Sequence, residues 1–246
     1  MNSLLRKIGL LLLLALPLSL AAQEYPESGI FRESAQELSV LYRGRLATKY
    51  NVLANGNPYW ISSAFLPGTI KYEGRLYSDV ELNIDVLTHE PLVKIKGSSI
   101  TVALNQSNVE WFTAGDTRFV NLRLWGREDM EEGFYEVLHE GSFSMYKRVD
   151  KRLSFSVNPV NGIGIGYDDP GYHTEYHSYF EYLPRFYFLD TDGNMKKIRG
   201  KGAVLGRFPK KVRKSLRRYA SDNGLNEAGV SYEEYCRALL DYAESL

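Results

Sequence analysis

The chain has 246 residues, 44% apolar and 24% charged, a composition that buries a core and excludes a disordered or collagen-like chain. Its 30 basic residues balance 30 acidic ones, so net charge recruits no polyanion and no nucleic-acid partner is expected. One cysteine, Cys236, excludes an internal disulfide.

Residues 1–21 read as a secretory signal peptide. Arg6 and Lys7 form a basic start, and Ile8 to Leu20 is apolar apart from Gly9, Pro17 and Ser19. Ser19-Leu20-Ala21 then supplies small residues where a signal peptidase reads. The apolar stretch is too short for a bilayer anchor, Pro17 breaks it, and no cysteine follows to carry a lipid. Export through the secretory pathway, to the periplasm or the extracellular space, is the expected localisation. Cleavage leaves about 225 residues and removes Arg6 and Lys7 but no acid, so 28 basic residues face 30 acidic ones. Without a disulfide, an exported chain of this size depends on core burial.

Residues 22–40 read as a leader segment, polar at first, with a short element near Ser34 to Leu41. Strand signals dominate residues 41–200. Asp79 to Val86 alternates without error, placing Val80, Leu82, Ile84 and Val86 on one face and polar residues on a wet one. Leu92 to Lys96 and Ile100 to Leu104 predict a hairpin around Gly97-Ser98-Ser99. Asn108 to Thr113 and Arg118 to Trp125 form the next pair, with Val120, Leu122 and Leu124 pointing one way. Phe134 to His139 and Phe143 to Val149 form another around Glu140-Gly141. Residues 158–173 are glycine-rich and predict a long loop. Tyr179 to Leu189 is an aromatic strand, and Asp190 to Asn194 turns into Met195 to Gly200. The 18 tyrosines favour sheet over helix. They fit cross-strand pairing, or a carbohydrate- or peptide-binding face.

Residues 201–246 change class to a C-terminal helical pair. Phe208, Val212, Leu216 and Tyr219 make one amphipathic stripe started by Pro209 and stopped by Asn223-Gly224. Ser231-Tyr232-Glu233-Glu234 is a capping box opening a second helix with Tyr235, Ala238, Leu239 and Tyr242 inward.

Sites with chemistry are few. His173 and His177 would share a face of a strand but lie about 13 Å apart, too far for one metal ion. Gly162-Ile163-Gly164-Ile165-Gly166 lacks the following helix that a phosphate loop needs, since Pro170-Gly171 intervenes. Asp190-Thr191-Asp192-Gly193-Asn194 opens like a calcium loop, yet Arg199 stands where the closing glutamate belongs. Glu128, Asp129, Glu131 and Glu132 fit a solvated turn. No nucleophile elbow or Ser-His-Asp order occurs. Acid pairs for glycoside hydrolysis meet only in space and stay open. Cys236 reads as a buried structural thiol. No cofactor and no metal site is expected.

The basic run stands out. Between Lys196 and Arg218, 11 of 23 residues are Lys or Arg and none is acidic. Lys210, Lys211, Arg213, Lys214, Arg217 and Arg218 either contact an anionic surface or form the wet face of a helix that acids of the last helix offset.

Several segments carry a likeness: Leu41-Tyr42-Arg43-Gly44, Gly56-Asn57-Pro58-Tyr59-Trp60, Gly68 through Asp85, Phe134 through Gly141, and the closing helix pair. Together they resemble a family of exported Bacteroidota proteins with no assigned activity. That resemblance implies the cell envelope and supplies no functional residue.

The fold expected is mainly β (α+β): an antiparallel meander, sandwich or partly open barrel capped by two C-terminal helices. The function expected is a non-catalytic exported binding or accessory protein, its partner an anionic envelope surface or another envelope protein. Two alternatives are an outer-membrane β-barrel and an exported hydrolase of glycan or cell-wall material.

Overall fold

The computed structural model describes residues 40–50, 54–159 and 174–246. The expected signal peptide, most of the leader and the Gly162–Gly166 run lie outside them. Within the described residues the chain is mainly β, a twelve-stranded sheet with three short helices near its end.

The strands are β1 (Arg45–Leu46), β2 (Ala54–Asn55), β3 (Leu66–Tyr72), β4 (Arg75–Asp85), β5 (Glu90–Lys94) and β6 (Thr101–Ala103). They continue with β7 (Val109–Ala114), β8 (Thr117–Val120), β9 (Tyr135–His139), β10 (Ser144–Pro159), β11 (Thr174–Leu189) and β12 (Met195–Ile198). Their order in space is β1-β6-β5-β4-β3-β7-β8-β9-β10-β11-β12. Every ladder is antiparallel except β2, which runs parallel beside β11. The sheet keeps two edges and does not close. None of the described helices is long and apolar enough to cross a membrane.

Tight turns set this order, because antiparallel neighbours need only short connections. The hairpins expected around Gly97 and Gly115 are formed by β5–β6 and β7–β8. At Gly68 the backbone of β3 passes so near β7 that a Cβ would lie 1.9 Å from the Thr113 carbonyl oxygen, so only glycine fits.

Three strand readings need correction. The strand expected over Arg118 to Trp125 stops at Val120; Leu122 is buried, but Leu124 and Trp125 are exposed in a turn. Asn158 and Pro159 belong to β10 instead of a loop, and β11 starts at Thr174, five residues before Tyr179. The polar face of β4 is not wet at its far end. Asn83 and Asp85 are as buried as Leu82 and Ile84, because the segment before β3 covers them. Asn83 Nδ2 donates to the carbonyls of Ser62 and Ala64, and Asp85 accepts from the Tyr50 hydroxyl at 2.5 Å.

The 16-residue hairpin of β10 and β11 is the longest pairing in the sheet. Its register runs from Ser144 opposite Leu189 to Pro159 opposite Thr174 without a slip. Period two then sends Met145 and Phe188 to one face, Tyr146 and Tyr187 to the other.

The first face carries the helices: α1 (Lys201–Leu205), α2 (Lys210–Asp222) and α3 (Tyr232–Glu244). Met145, Phe188, Leu138 and Ile198 pack there against Phe208, Leu216, Tyr235 and Leu239. Of the expected capping box the serine half forms, with Ser231 Oγ accepting from the Glu234 amide at 3.1 Å. On the opposite face Val120, Tyr135, Tyr146 and Tyr187 are roofed by Leu122 and Met130. The plain reading of the tyrosines applies at this spot, where Tyr135 and Tyr187 meet edge to face at 5.5 Å.

Phe188 is fully buried between β11 and the helices, so Phe188→Ala should cost about 3–5 kcal/mol by leaving a cavity. Urea denaturation of the processed protein measures this, and a loss below about 1 kcal/mol would contradict the packing.

Candidate functional site

Two groups of charges dominate the described residues, and they are handled in opposite ways. The first is α2. Pro209 sets its start, no side chain caps it, and no acid stands in its first turn. Lys210, Lys211, Arg213 and Lys214 occupy that end instead, where unpaired amides already make the helix positive. Its sister α3 shows the opposite and more stable arrangement, with a serine cap and Glu233 and Glu234 in the first turn.

Leu216 and Ala220 anchor α2 to the core, and Tyr219 stacks on Tyr242 of α3 at 4.1 Å. Lys210, Lys211, Lys214, Arg217 and Arg218 therefore face outward and are exposed. Arg213 departs from the other five. Its guanidinium turns back and donates to the carbonyls of Phe208 at 2.6 Å and Gly206 at 2.9 Å. Arg218 makes an exposed pair with Asp222 at 3.4 Å, within the same helix.

Three acids of α3 serve the sheet instead of this face. Glu233 pairs with Lys147 of β10 at 2.9 Å. Asp241 and Glu244 meet His139 of β9 at 2.9 Å and 3.4 Å. Among the described residues, Lys210, Lys211, Lys214 and Arg217 stand in no ion pair.

The second group lies on β10, where Lys147, Arg148, Asp150 and Lys151 look in sequence like a wet stretch. Alternation sends them to two faces, and both are covered. On the helix side, Lys147 and Glu136 are almost fully buried and meet at 2.6 Å, with Arg237 reaching Glu136 at 3.0 Å. Burial alone would lower the Lys147 pKa, but the Glu136 carboxylate overrides it and holds the ammonium charged. Lys151 gives its ammonium to the carbonyls of Asn57 at 2.9 Å and of Tyr59, and burial lowers its pKa.

On the other side Asp150 is a hub. His89 Nε2 lies 2.7 Å from its Oδ1, Arg148 Nε donates at 3.2 Å, and Arg185 Nε donates to Oδ2 at 2.9 Å. Burial alone would raise the Asp150 pKa; the His89 bond and the two guanidinium groups reverse that and hold it well below the usual range. Arg185 also grips Glu131 at 2.8 Å. Gly133 allows the close fit: its φ is +116°, and a Cβ would strike His89 Cγ at 2.8 Å. These charges clamp the β4–β5 turn and the Glu131–Gly133 loop onto the long hairpin. They are spent on one another, so the cluster is a fastening.

The remaining sequence candidates resolve more simply. Asp190 Oδ1 accepts from the amides of Asp192 and Asn194 at 3.1 Å and 2.8 Å, closing a hairpin turn. Cys236 is fully buried, and that burial pushes its thiol up to about 12. His173 lies outside the described residues, and the backbone of His177 lies in β11. Among the described residues no three of His, Cys, Asp or Glu gather as a metal site.

Sequence reasoning missed the β10 clamp. The available signal was five charges in the six residues Lys147 to Arg152, the first two inside the strand expected to end at Val149.

Comparison with known proteins finds no matching family model, no curated relative and no similar solved structure.

Two outcomes test the clamp. A carboxyl with a depressed folded pKa stabilises the fold above its unfolded value of about 3.8, and that contribution fades as pH falls toward the folded value. Asp150→Asn should lower stability at neutral pH and flatten the decline below about pH 4 in acid denaturation; an unchanged acid limb would rule this out. Lys147→Met should cost about 3–5 kcal/mol by stranding Glu136, and the double change Lys147→Met, Glu136→Leu should recover much of it. Chemical denaturation reads both, and a double variant no better than the single one would count against the pair.

Proposed function

We propose that this chain is a non-catalytic exported binding or accessory protein of the cell envelope, docking on an anionic surface through the outer face of α2. One observation carries the reading: Lys210, Lys211, Lys214 and Arg217 are exposed and outside any ion pair among the described residues, the first two in the opening turn of a helix that is already positive there. Helix stability favours acids at that end, as α3 has. A partner carrying phosphates or carboxylates would remove the mismatch. Of the acids of the last helix, Glu233, Asp241 and Glu244 serve the sheet, and among the described residues none of its acids pairs with α2. Arg213 leaves the contact set because its guanidinium closes the α1–α2 corner.

The signal-like residues 1–21 and the likeness to exported Bacteroidota proteins support the envelope as the place of work. The anionic surface is then lipid head groups or the acidic face of another envelope component.

Co-sedimentation of the processed protein with phosphatidylglycerol vesicles tests this, phosphatidylcholine vesicles serving as reference. Each basic residue near an anionic membrane contributes about 1 kcal/mol. Changing Lys210, Lys211, Lys214 and Arg217 to Gln together should weaken binding roughly a hundredfold or more. Equal binding to both vesicle types, or by the fourfold variant, would overturn the reading.

A further inference from the structure

The sequence of α2, a basic stripe opposite an apolar one, would by itself suit a helix that sinks its apolar side into a lipid surface. The fold has already used that side. Leu216 is 0% and Ala220 1% exposed, Val212 packs beside them, and Tyr219 stacks on Tyr242 of α3. Arg213 ties the opening turn to the α1–α2 corner through the carbonyls of Phe208 and Gly206. Among the described residues, no large apolar side chain of α1, α2 or α3 is exposed. Nothing on this helix is left to enter hydrocarbon unless α2 leaves the core.

What remains outward is charge, and its layout is one-sided. At about 100° per residue, Lys210, Lys211, Lys214, Arg217 and Arg218 fall within about 120° of the helix circumference, centred opposite Leu216. Lys210, Lys214 and Arg217 form a single row about 10 Å long. A row of charges along one side of a rod meets a plane better than a pocket. The residue types then separate two kinds of plane. Surfaces that bind folded proteins are enriched in Tyr, Trp, Phe, Met and Arg and depleted in Lys. Here Lys210, Lys211 and Lys214 dominate, and no exposed aromatic ring stands on α2. Lysine is a compact charge on a flexible stem, which suits phosphates whose positions shift.

We infer that α2 adsorbs on the phosphate plane of an anionic lipid bilayer while still packed in the core, without entering the hydrocarbon. This rests on the anionic contact proposed for α2 and names its partner. Affinity then follows the charge density of the bilayer instead of apolar packing. Salt weakens such a contact, because the reach of each charge shrinks from about 10 Å at 0.1 M to about 3 Å at 1 M.

Binding of the full processed chain to phosphatidylglycerol vesicles, with labelled poly-L-glutamate as a soluble acidic probe, tests the inference. The expected result is vesicle binding at about 0.1 M NaCl that weakens more than about tenfold at about 1 M. Small and large vesicles should bind equally per accessible lipid, because insertion is what makes a helix sensitive to curvature. Binding that survives the high salt, or that favours the small vesicles, would show α2 inserting and overturn the inference. Binding to poly-L-glutamate without binding to vesicles would overturn the bilayer as partner and leave the anionic contact at α2 standing. Binding to neither would remove both, as would vesicle binding unchanged by the fourfold change to Gln in α2.

Discussion

The unbroken pairing of β10 with β11 is the constraint on which the rest of the fold depends. Sixteen residues in strict register decide, two by two, which side chains go to which face. Met145 and Phe188 thereby become the floor for the helices, while Tyr146 and Tyr187 become the floor for the Leu122–Met130 roof. A slip of one residue would exchange these sets and place Lys147 and Asp150 on each other's faces, stranding both from their partners. The shorter strands β3 to β9 lean on this hairpin, and β12 with the three helices completes its other flank.

Charge is treated in two ways that make physical sense together. On β10 each buried charge has a partner: Lys147 has Glu136, and Asp150 has His89, Arg148 and Arg185. A buried charge without a partner costs several kcal/mol, so these positions tolerate little change. On α2 the opposite holds. Among the described residues its lysines make no ion pair, and those in the first turn weaken the helix end they occupy. Three of the acids near α2, Glu233, Asp241 and Glu244, are spent holding α3 to the sheet through Lys147 and His139. A surface left unbalanced in a chain that is otherwise neutral is what points to a partner.

Much of this architecture was legible in the residues, and the reasons differ by element. The alternation of Val80, Leu82, Ile84 and Val86 marked β4 because one face of it meets the core. Ser231 and Glu234 marked the start of α3 because capping is local chemistry. What stayed hidden depends on distant segments. Asn83 and Asp85 read as wet, and only the remote cover from Tyr50 and Ser62 to Ala64 buries them. Strand β3, with Pro67 and Gly68 inside it, breaks local strand rules at a close approach to Thr113. Of the basic residues singled out, five take the outward face that helical periodicity assigns; Arg213 does not, because the α1–α2 corner offers it two carbonyls.

Amide hydrogen exchange along the β10–β11 hairpin addresses the fold's organising pairing most directly. If the ladder is the element everything else rests on, the amides of Met145 to Asp150 and Arg185 to Phe188 exchange last, and only through global unfolding. Fast exchange there through local opening, while the β3–β4 and α2–α3 amides stay protected, would show that the sheet is held together elsewhere.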